Sequence, residues 1–235
     1  MTNTVNGAAV QQPTIKKKSR AGEIWRRFRK NKLAVFGMIL FALILLVAIF
    51  ADAIVNYSVA TTQVAADRLL SPNAEHWFGT DNYGRDLFAR IVHGSRNSLL
   101  VGFGSVAIGV VLGGLLGAVC GYVGGRFDAI MMRVLDSIMC IPSMMMALAI
   151  VAALGSSLVN VLLAMTISNV PWYCRIIRSS VLGVTGQTYI EAARSCGTSD
   201  FQIIMTHVLP NAMGPIIVQA TMGIGGAIIS AAGIS

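Results

Sequence analysis

Charged side chains are scarce in this chain. Only 12% of its 235 residues are Asp, Glu, Lys or Arg, whereas 55% are hydrophobic and the mean hydropathy is +0.70. A soluble globular domain carries roughly 25% charged residues. The shortage of charge and the long uncharged runs exclude an ordinary soluble domain. They predict an all-α, polytopic membrane helix bundle.

The sequence also lacks the motifs of common catalytic and metal sites. It has no G-x-x-x-x-G-K-[ST] phosphate loop, no G-x-S-x-G elbow and no H-E-x-x-H motif. The cysteines form no C-x-x-C pair and the histidines fall in different polar segments, so we expect no metal site and no disulfide framework. We therefore expect a non-catalytic chain, with any energy source supplied by another protein. The residues concerned are Cys120, Cys140, Cys174, Cys196, His76, His93 and His207.

Positive charge is concentrated near the N-terminus. Nine of the eighteen Lys and Arg residues lie between Lys16 and Lys32, directly before the first apolar run. A basic cluster at that place is typical of a cytoplasmic segment attracted to anionic lipid. Residues 1–32 are therefore interpreted as a basic cytoplasmic tail. Because no basic stripe continues onto a soluble fold, nucleic-acid binding is not expected.

Five apolar runs are long enough to cross a bilayer, which takes about 20 helical residues. The distribution of Lys and Arg places the N-terminus and residues 185–211 in the cytoplasm and the loop 52–97 outside. Prolines are expected to kink the third span at Pro142 and the fourth at Pro171. The sequence stops within apolar residues, which suggests a fragment or a truncated product. The predicted spans are residues 33–51, 98–123, 131–153, 158–174 and 212–235.

Glycines recur at every fourth position in the second span. This spacing keeps them on one helix face, where a second helix can approach closely. We interpret the ladder as helix packing, and we favour this over a direct role in lining a substrate path. Its members are Gly109, Gly113, Gly117 and Gly121, with Gly125 as a fifth step.

Asp136 is an ionisable residue just inside the third span. Arg133 lies one turn before it, so we expect a paired, structural carboxylate near the cytoplasmic end of the span. The middle of the membrane otherwise lacks acidic residues and histidines. This composition argues against a proton- or sodium-coupled secondary transporter.

A polar segment, "TYIEAARSCGTSDFQIIMTHVLPN" at Thr188–Asn211, interrupts the last apolar stretches. "TYIE" and "SDFQ" each match a helix capping box, and Gly197 stands where a left-handed C-cap would end the first helix. Pro210 is expected to end the second helix. The segment therefore predicts two short amphipathic helices joined at a glycine.

Each of these helices is predicted to carry one apolar stripe. Helices of two turns are marginal in water, so both stripes need a covering surface. That surface is either the membrane with neighbouring spans or a groove on a cytoplasmic partner, and the small Ala192-Ala193 pair favours the partner. The stripes are Tyr189, Ala192, Ala193 and Cys196, followed by Phe201, Ile204, Met205 and Val208.

Three motifs resemble one protein family. Glu191-Ala192-Ala193, Gly197 and Leu209-Pro210 are similar to the "EAA" loop of ABC importer permease subunits. "MRVLDSIMCIP" at Met132–Pro142 resembles the entry to the third span in the dipeptide, oligopeptide and nickel branch. "FGTDNYGRDLFARIVHGSRNSL" at 78–99 resembles the outer-loop signature of that branch, through Phe78, Gly79, Thr80, Asp81, Gly84, Arg85, Asp86, Arg90, Gly94 and Arg96.

The resemblance implies a type I ABC importer transmembrane domain in the bacterial inner membrane, with five spans present of an expected six. It implies a peptide substrate, with nickel chelates or glutathione as alternatives. The implied partners are a second permease subunit in a heterodimer, two ATPase subunits that use ATP and Mg²⁺, a solute-binding protein and membrane lipids. Glu191, Ala192, Ala193 and Gly197 would contact the ATPase, and Leu209-Pro210 would fix the exit into the fifth span. An ion-coupled secondary transporter and a scaffold without a transport role remain the alternative hypotheses.

Overall fold

Within the described residues the chain forms two compact units, which meet between residues 50 and 51 of the sequence. A computed structural model describes residues 20–234, so most of the predicted basic tail lies outside the described residues. Within 20–234 the chain is almost entirely helical, and its only extended pairing is an isolated antiparallel bridge between Thr80 and Asp86. The predicted all-α class is confirmed.

The first unit contains two helices, α1 (Arg20–Lys30) and α2 (Lys32–Ile49). Asn31 separates them, and its side-chain oxygen accepts a hydrogen bond from the Ala34 amide at 3.2 Å, which caps α2. No charged residue follows Lys32 within α2, and apolar residues occupy every face of the helix. This is the composition expected of a helix surrounded by lipid.

The second unit begins with two short helices, α3 (Ala51–Ile54) and α4 (Tyr57–Thr61), and a 3₁₀ turn at Ala65–Asp67. The long helix α5 then runs over Leu87–Val123. It begins well before Ser98, where the sequence predicts the second span, because Asp86 caps it through a 2.7 Å hydrogen bond from the Ala89 amide. Its 37 residues extend about 55 Å, more than a bilayer core of about 30 Å requires.

The third predicted span is two helices rather than one kinked helix. α6 (Gly125–Met139) and α7 (Ser143–Leu154) are bent by 77° at the break between them. Pro142 has φ −53° and ψ 129°, outside helical geometry, and precedes the first residue of α7. Because a proline disfavours helical backbone in the residue before it, the chain breaks here instead of bending.

The fourth predicted span is too short at its C-terminal end. α8 covers Leu158–Thr185 and continues through Pro171 and past Cys174. Arg175 and Arg178 extend from this continuation and each forms an ion pair with a carboxylate of α6. These ion pairs stabilise the added turns, which a hydropathy argument from the sequence cannot detect.

The chain ends in α9 (Thr188–Ser195), α10 (Asp200–Ile203), a π-helical turn at Ile204–Val208 and α11 (Leu209–Ile234). Pro210 does not end a helix, contrary to the prediction. The Leu209 amide donates to the Ile204 carbonyl, five residues earlier, and the helix widens there. A proline ring would clash with the carbonyl four residues before it, and a wider turn relieves that clash.

Glycines bring α5 and α8 into backbone contact. A Cβ added to Gly117 would lie 2.4 Å from the Cys174 carbonyl oxygen, and one added to Gly113 would lie 2.7 Å from that of Val170. Gly121 approaches the Arg178 carbonyl oxygen of α8 in the same way, at 2.9 Å, whereas Gly109 faces the ring of Tyr173 at 3.2 Å. Gly125 does not continue the ladder, since it begins α6 with a φ of 63° and a Cβ there would meet no atom within 4 Å.

Three of the described helices are long and apolar enough to cross a membrane, and the α6–α7 pair makes a fourth if it counts as one span. The three are α2 (Lys32–Ile49), α5 (Leu87–Val123) and Asp200–Ile234, which is the continuous helix made of α10, the π-helical turn and α11. α8 is outside this group because Asn160, Asn169 and its arginines reduce its hydropathy. The predicted fourth span is therefore a more polar helix than the others.

Candidate functional site

Two predicted sites occupy different parts of the second unit. We call residues 52–97 the first-loop segment and residues 188–211 the EAA segment. The motif of the first-loop segment centres on Asp81. Its Oδ1 accepts hydrogen bonds from the amides of Tyr83 at 2.8 Å and Arg85 at 3.0 Å. Its Oδ2 accepts from Arg85 Nε at 2.8 Å and from Arg90 at 2.5 Å.

These hydrogen bonds keep the Asp81 carboxylate ionised at neutral pH. Partial burial of the carboxylate opposes ionisation, but the hydrogen bonds from the Arg85 and Tyr83 amides and from the Arg85 guanidinium outweigh it. The pKa of Asp81 is lowered from 3.8 to about 2. The motif residues Asp81, Arg85 and Arg90 are therefore held together as one charged cluster.

Asp86 and Thr80 fasten the loop to the start of α5. The Asp86 carboxylate caps α5 and also forms a 2.8 Å hydrogen bond with Nδ1 of His76. The Thr80 hydroxyl donates to the Asp67 carbonyl and accepts from the Leu70 amide at 2.9 Å. His76 was not predicted as part of the motif, because its sequence position gives no sign that it meets Asp86.

Two glycines of the motif are required by the path of the backbone. Gly79 has a φ of 74° and Gly84 a φ of 73°. A Cβ on Gly79 would lie 2.3 Å from the Leu70 carbonyl oxygen, and one on Gly84 would lie 1.9 Å from that of Val64. No larger residue fits either position without moving the backbone.

The remaining motif residues are less uniformly packed. Arg96 pairs with Asp52 at 2.7 Å, and the Phe78 ring meets Phe88 edge-on at 5.5 Å.

His93, outside the predicted set, is buried and hydrogen-bonds the Val55 carbonyl at 2.8 Å. Gly94 has open space around an added Cβ. No set of three or more His, Cys, Asp or Glu residues that could hold a metal occurs within residues 20–234.

The EAA segment contacts the core through part of the predicted stripes, namely Ala193, Ile204 and Val208, and through Ile190 and Ile203, which lie outside them. Ile190, Ile203 and Val208 are completely buried in the main hydrophobic cluster. Tyr189 and Met205, both assigned to the apolar stripes, are exposed instead. The predicted stripes therefore mix two faces, and the exposed one is formed by Tyr189, Ala192, Cys196, Phe201 and Met205, with Glu191 beside it.

The helix ends in this segment were predicted in part. Gln187 occupies the N-cap position of α9 without a side-chain cap, so the "TYIE" capping box is wrong: Thr188 is already helical. Ser199 does cap α10, accepting from the Gln202 amide at 3.4 Å. Gly197 has a φ of 78°, and the Thr198 amide closes the end of α9 on the Ala193 carbonyl at 3.2 Å. A Cβ on Gly197 would meet no atom of this chain within 4 Å.

Polar contacts tie both parts of the EAA segment to the end of α5. The Tyr122 hydroxyl donates to Asp200 at 2.6 Å and accepts from Arg194 Nε at 3.2 Å. The Arg194 guanidinium also lies 4.7 Å from the centre of the Tyr122 ring. One tyrosine thus joins α9, α10 and α5. Leu209 and Pro210 lie beyond this junction, at the start of α11.

Asp136 does not pair with Arg133, contrary to the prediction. Its partner is Arg175 of α8, while Arg133 is exposed and its carbonyl accepts from the Ser137 hydroxyl at 3.0 Å. A second carboxylate of α6, Asp128, binds Arg178 of α8 through two hydrogen bonds of 2.5 Å. These pairs join residues far apart in the chain, so neighbouring positions did not reveal them.

Comparison with known proteins is consistent with this architecture. Residues 109–235 match the family described as binding-protein-dependent transport system inner membrane component. Residues 19–72 match the N-terminal TM domain of oligopeptide transport permease C. The two matched regions together include α2 and all helices from the glycine ladder onward.

Several curated proteins are similar over most of the chain. The dipeptide transport system permease protein of Alkalihalophilus pseudofirmus is 45% identical over 212 residues, covering 90% of this chain and 69% of that protein. The probable D,D-dipeptide transport system permease protein of Escherichia coli K12 is 43% identical over 209 residues, covering 89% and 70%. The glutathione transport system permease protein of Escherichia coli O6:K15:H31 is 42% identical over 214 residues, covering 91% and 70%.

These matches confirm the resemblance drawn from the three motifs and assign the chain to the inner membrane as a permease component of an ABC transport system. The chain belongs to the family of binding-protein-dependent transport system inner membrane components.

Proposed function

We propose that this chain is one transmembrane permease subunit of an ATP-driven importer for di- and oligopeptides, and that it couples to its ATPase through the EAA segment. The observation that carries this proposal is the division of that segment into two faces. Ile190 and Ile203 are buried in the core, whereas the opposite face exposes Ala192, Cys196 and Phe201.

The exposed face has the properties of a protein contact. Phe201, in the capped helix α10, is 76% exposed, and Met205, in the π-helical turn that follows, is 45% exposed. The segment is rich in small residues, Ala192 and Gly197 among them, which allow a partner to approach closely. An ATPase groove that receives this face would bury its apolar surface and contact Glu191 at the rim.

The division of labour follows from this arrangement. We propose that two ABC ATPase subunits bind and hydrolyse ATP with Mg²⁺, and that this chain is not catalytic and binds no cofactor. A second permease subunit completes the pathway as a heterodimer, a solute-binding protein delivers substrate to the first-loop segment, and the basic N-terminal tail contacts anionic lipid. On this view the first-loop segment lies outside the cell and the EAA segment inside.

Glutathione is a second candidate substrate. It rests on the relative described as a glutathione transport system permease, which is 42% identical to this chain. Glutathione is itself a tripeptide with two amide bonds, so the same pathway chemistry serves both. The solute-binding protein of the system decides between them.

The test is transport by the complete system in proteoliposomes. The chain is purified with its second permease and its ATPases and is reconstituted into lipid vesicles. The solute-binding protein is added outside the vesicles, and ATP is enclosed inside them. We expect uptake of dialanine or glutathione that needs ATP and persists when an uncoupler collapses ion gradients. An ATPase variant that cannot hydrolyse ATP is the control.

Two outcomes would contradict the proposal. Uptake that collapses with the uncoupler at constant ATP would identify an ion-coupled secondary transporter. Co-purification of the ATPases with the chain that is unchanged when the exposed apolar side chains of the EAA segment are removed would exclude the coupling role.

A further inference from the structure

A cavity of about 210 Å³ opens between α7, α8 and α11. A second cavity of about 390 Å³ adjoins it at the break between α6 and α7, and both are lined by Ser143, Ser168, Asn169 and Trp172. The two cavities therefore form a continuous recess along one side of α8. Its floor follows the 77° bend that separates α6 from α7.

Three polar groups border the first cavity without a hydrogen-bond partner. Within residues 20–234, the side-chain amides of Asn169 and Gln219 and the hydroxyl of Tyr173 form no hydrogen bond with a protein atom. The Tyr173 ring is buried, and its hydroxyl lies where a Cβ on Gly223 would be only 2.1 Å away. Gly223 thus leaves room for this hydroxyl at the cavity wall.

Such groups do not face lipid. An unsatisfied polar group in hydrocarbon costs several kcal/mol, and α2 shows that this chain keeps polar side chains out of a lipid-facing span. Asn169 lies 11 residues into α8 and Gln219 lies 10 residues into α11, about 15 Å along each helix. Both are therefore near the middle of a bilayer core of about 30 Å, where water, a passing solute or another protein segment must supply the partners.

The recess carries no full charge. No Asp, Glu, Lys, Arg or His is among the residues that line either cavity. A fixed charge would bind one end of a zwitterionic peptide and repel the other. A carboxamide instead offers one acceptor and two donors, the complement of a peptide C=O and N–H.

We propose that this recess is the part of the substrate path contributed by this chain, and that Asn169 and Gln219, with Tyr173, form a subsite that hydrogen-bonds the backbone amide of a passing peptide. The subsite recognises the amide group and does not contact the side chains or the termini of the peptide. This inference rests on the proposed function. It adds which residues meet the substrate and which chemical group they meet.

The experiment uses the complete transporter in proteoliposomes with dialanine and glutathione as probes. Asn169→Leu and Gln219→Leu remove the amides at similar volume, and we expect each to lower kcat/KM for uptake by about three- to tenfold, the worth of one hydrogen bond. Stimulation of the ATPase by the loaded binding protein should stay unchanged. Thr221→Val is the matched control, because Thr221 lies in α11 two residues from Gln219, lines neither cavity, and its hydroxyl already donates to the Ile217 carbonyl at 2.8 Å.

A second probe separates amide recognition from general damage. Dialanine with a methylated amide nitrogen lacks the N–H donor. We expect Gln219→Leu or Asn169→Leu to reduce the preference for dialanine over this analogue, measured against the wild type with the same binding protein. Selection by the binding protein cancels in that comparison.

The outcomes distinguish this inference from the proposed function. If the wild type transports dialanine or glutathione and both leucine variants match Thr221→Val, the subsite is overturned while the importer stands. If the wild type transports neither probe, the proposed function fails, and the subsite fails with it.

A labelling measurement decides the matter if the leucine variants do not assemble. Gln219→Cys, in a background with the exposed Cys140 and Cys196 changed to Ser, should react with a water-soluble maleimide and be protected by dialanine. Absence of labelling would overturn the subsite.

Discussion

The Tyr122 hydroxyl and the Asp200 carboxylate are joined by a 2.6 Å hydrogen bond between the last turn of α5 and the first residue of α10. The same hydroxyl accepts from Arg194, whose guanidinium covers the tyrosine ring. Both helices of the EAA segment are therefore held by one side chain of α5. We expect a movement of the segment to be transmitted to α5 through this tyrosine.

Tyr122→Phe tests that connection. The variant keeps the ring under Arg194 but loses both hydrogen bonds, so we expect its free energy of unfolding to fall by about 1–2 kcal/mol. We also expect fewer peptides imported per ATP hydrolysed. Thermal unfolding in detergent and paired uptake and ATPase assays measure the two effects. Tyr83→Phe, at an exposed tyrosine of the first-loop segment, is the control, and equal behaviour of the two variants would contradict the connection.

Gly117→Ala should disrupt the packing of α5 on α8. The added methyl group would lie 2.4 Å from the Cys174 carbonyl oxygen and 3.0 Å from the Arg178 amide nitrogen, both backbone atoms. The helices must separate, at a cost of about 1–3 kcal/mol or more. Gly114→Ala is the matched control, because its methyl group would meet only the end of the Ile177 side chain at 3.2 Å. We expect Gly117→Ala to lower the midpoint temperature of thermal unfolding and Gly114→Ala to leave it nearly unchanged.

Gly197 is tested with two substitutions that separate backbone strain from steric contact. Asn tolerates the left-handed backbone of this position and Val does not, while neither meets another atom of this chain near its Cβ. If an ATPase covers Gly197, we expect both variants to insert and both to lose ATP-driven uptake. Normal uptake by Gly197→Asn with loss only in Gly197→Val would show that the glycine serves the turn alone.

Asp81 is expected to stabilise the first-loop segment in a pH-dependent way. Its pKa is lowered from 3.8 to about 2, so its contribution is fully present above about pH 4 and is lost as the pH falls through about 2. Asp81→Asn should remove this dependence and speed hydrogen exchange of the Tyr83 and Arg85 amides at neutral pH. Mass spectrometry of the exchanged segment measures it.

Glu75→Gln is the control for Asp81→Asn. Within residues 20–234 the Glu75 carboxylate forms no hydrogen bond or ion pair. We expect its exchange rates and their pH dependence to match the wild type. Equal effects of the two variants would show that net charge, and not the Asp81 cluster, controls the loop.

The sequence allowed the helix class and the close approach of glycines to be predicted, because both follow from local spacing. It did not reveal where helices end when a capping or pairing residue decides the boundary. The start of α5 at Leu87 depends on Asp86, and nothing in the local sequence pattern distinguishes this helix cap from the other polar residues of the loop. The extension of α8 depends on Asp128 and Asp136, whose partners lie 50 and 39 positions away.

The EAA segment shows a second limit. Its apolar residues fit a helical stripe, yet the sequence does not tell which side faces the core. Ile190 falls outside the predicted stripe and is completely buried, whereas Tyr189 falls within it and is exposed. Burial depends on where α5 and α8 end, and a local pattern does not contain that information.

The π-helical turn at Ile204–Val208 joins α10, in the second half of the EAA segment, to α11 without a break. Asp200–Ile234 is a single helical rod of 35 residues, roughly 50 Å long, anchored at one end by Tyr122. A tilt of only about 5° at that end displaces the opposite end by roughly 4–5 Å, close to the ~4.8 Å that separates neighbouring extended chains. If an ATPase moves the end held by Tyr122, a very small rotation is enough to shift the opposite end of the rod by the width of one peptide backbone.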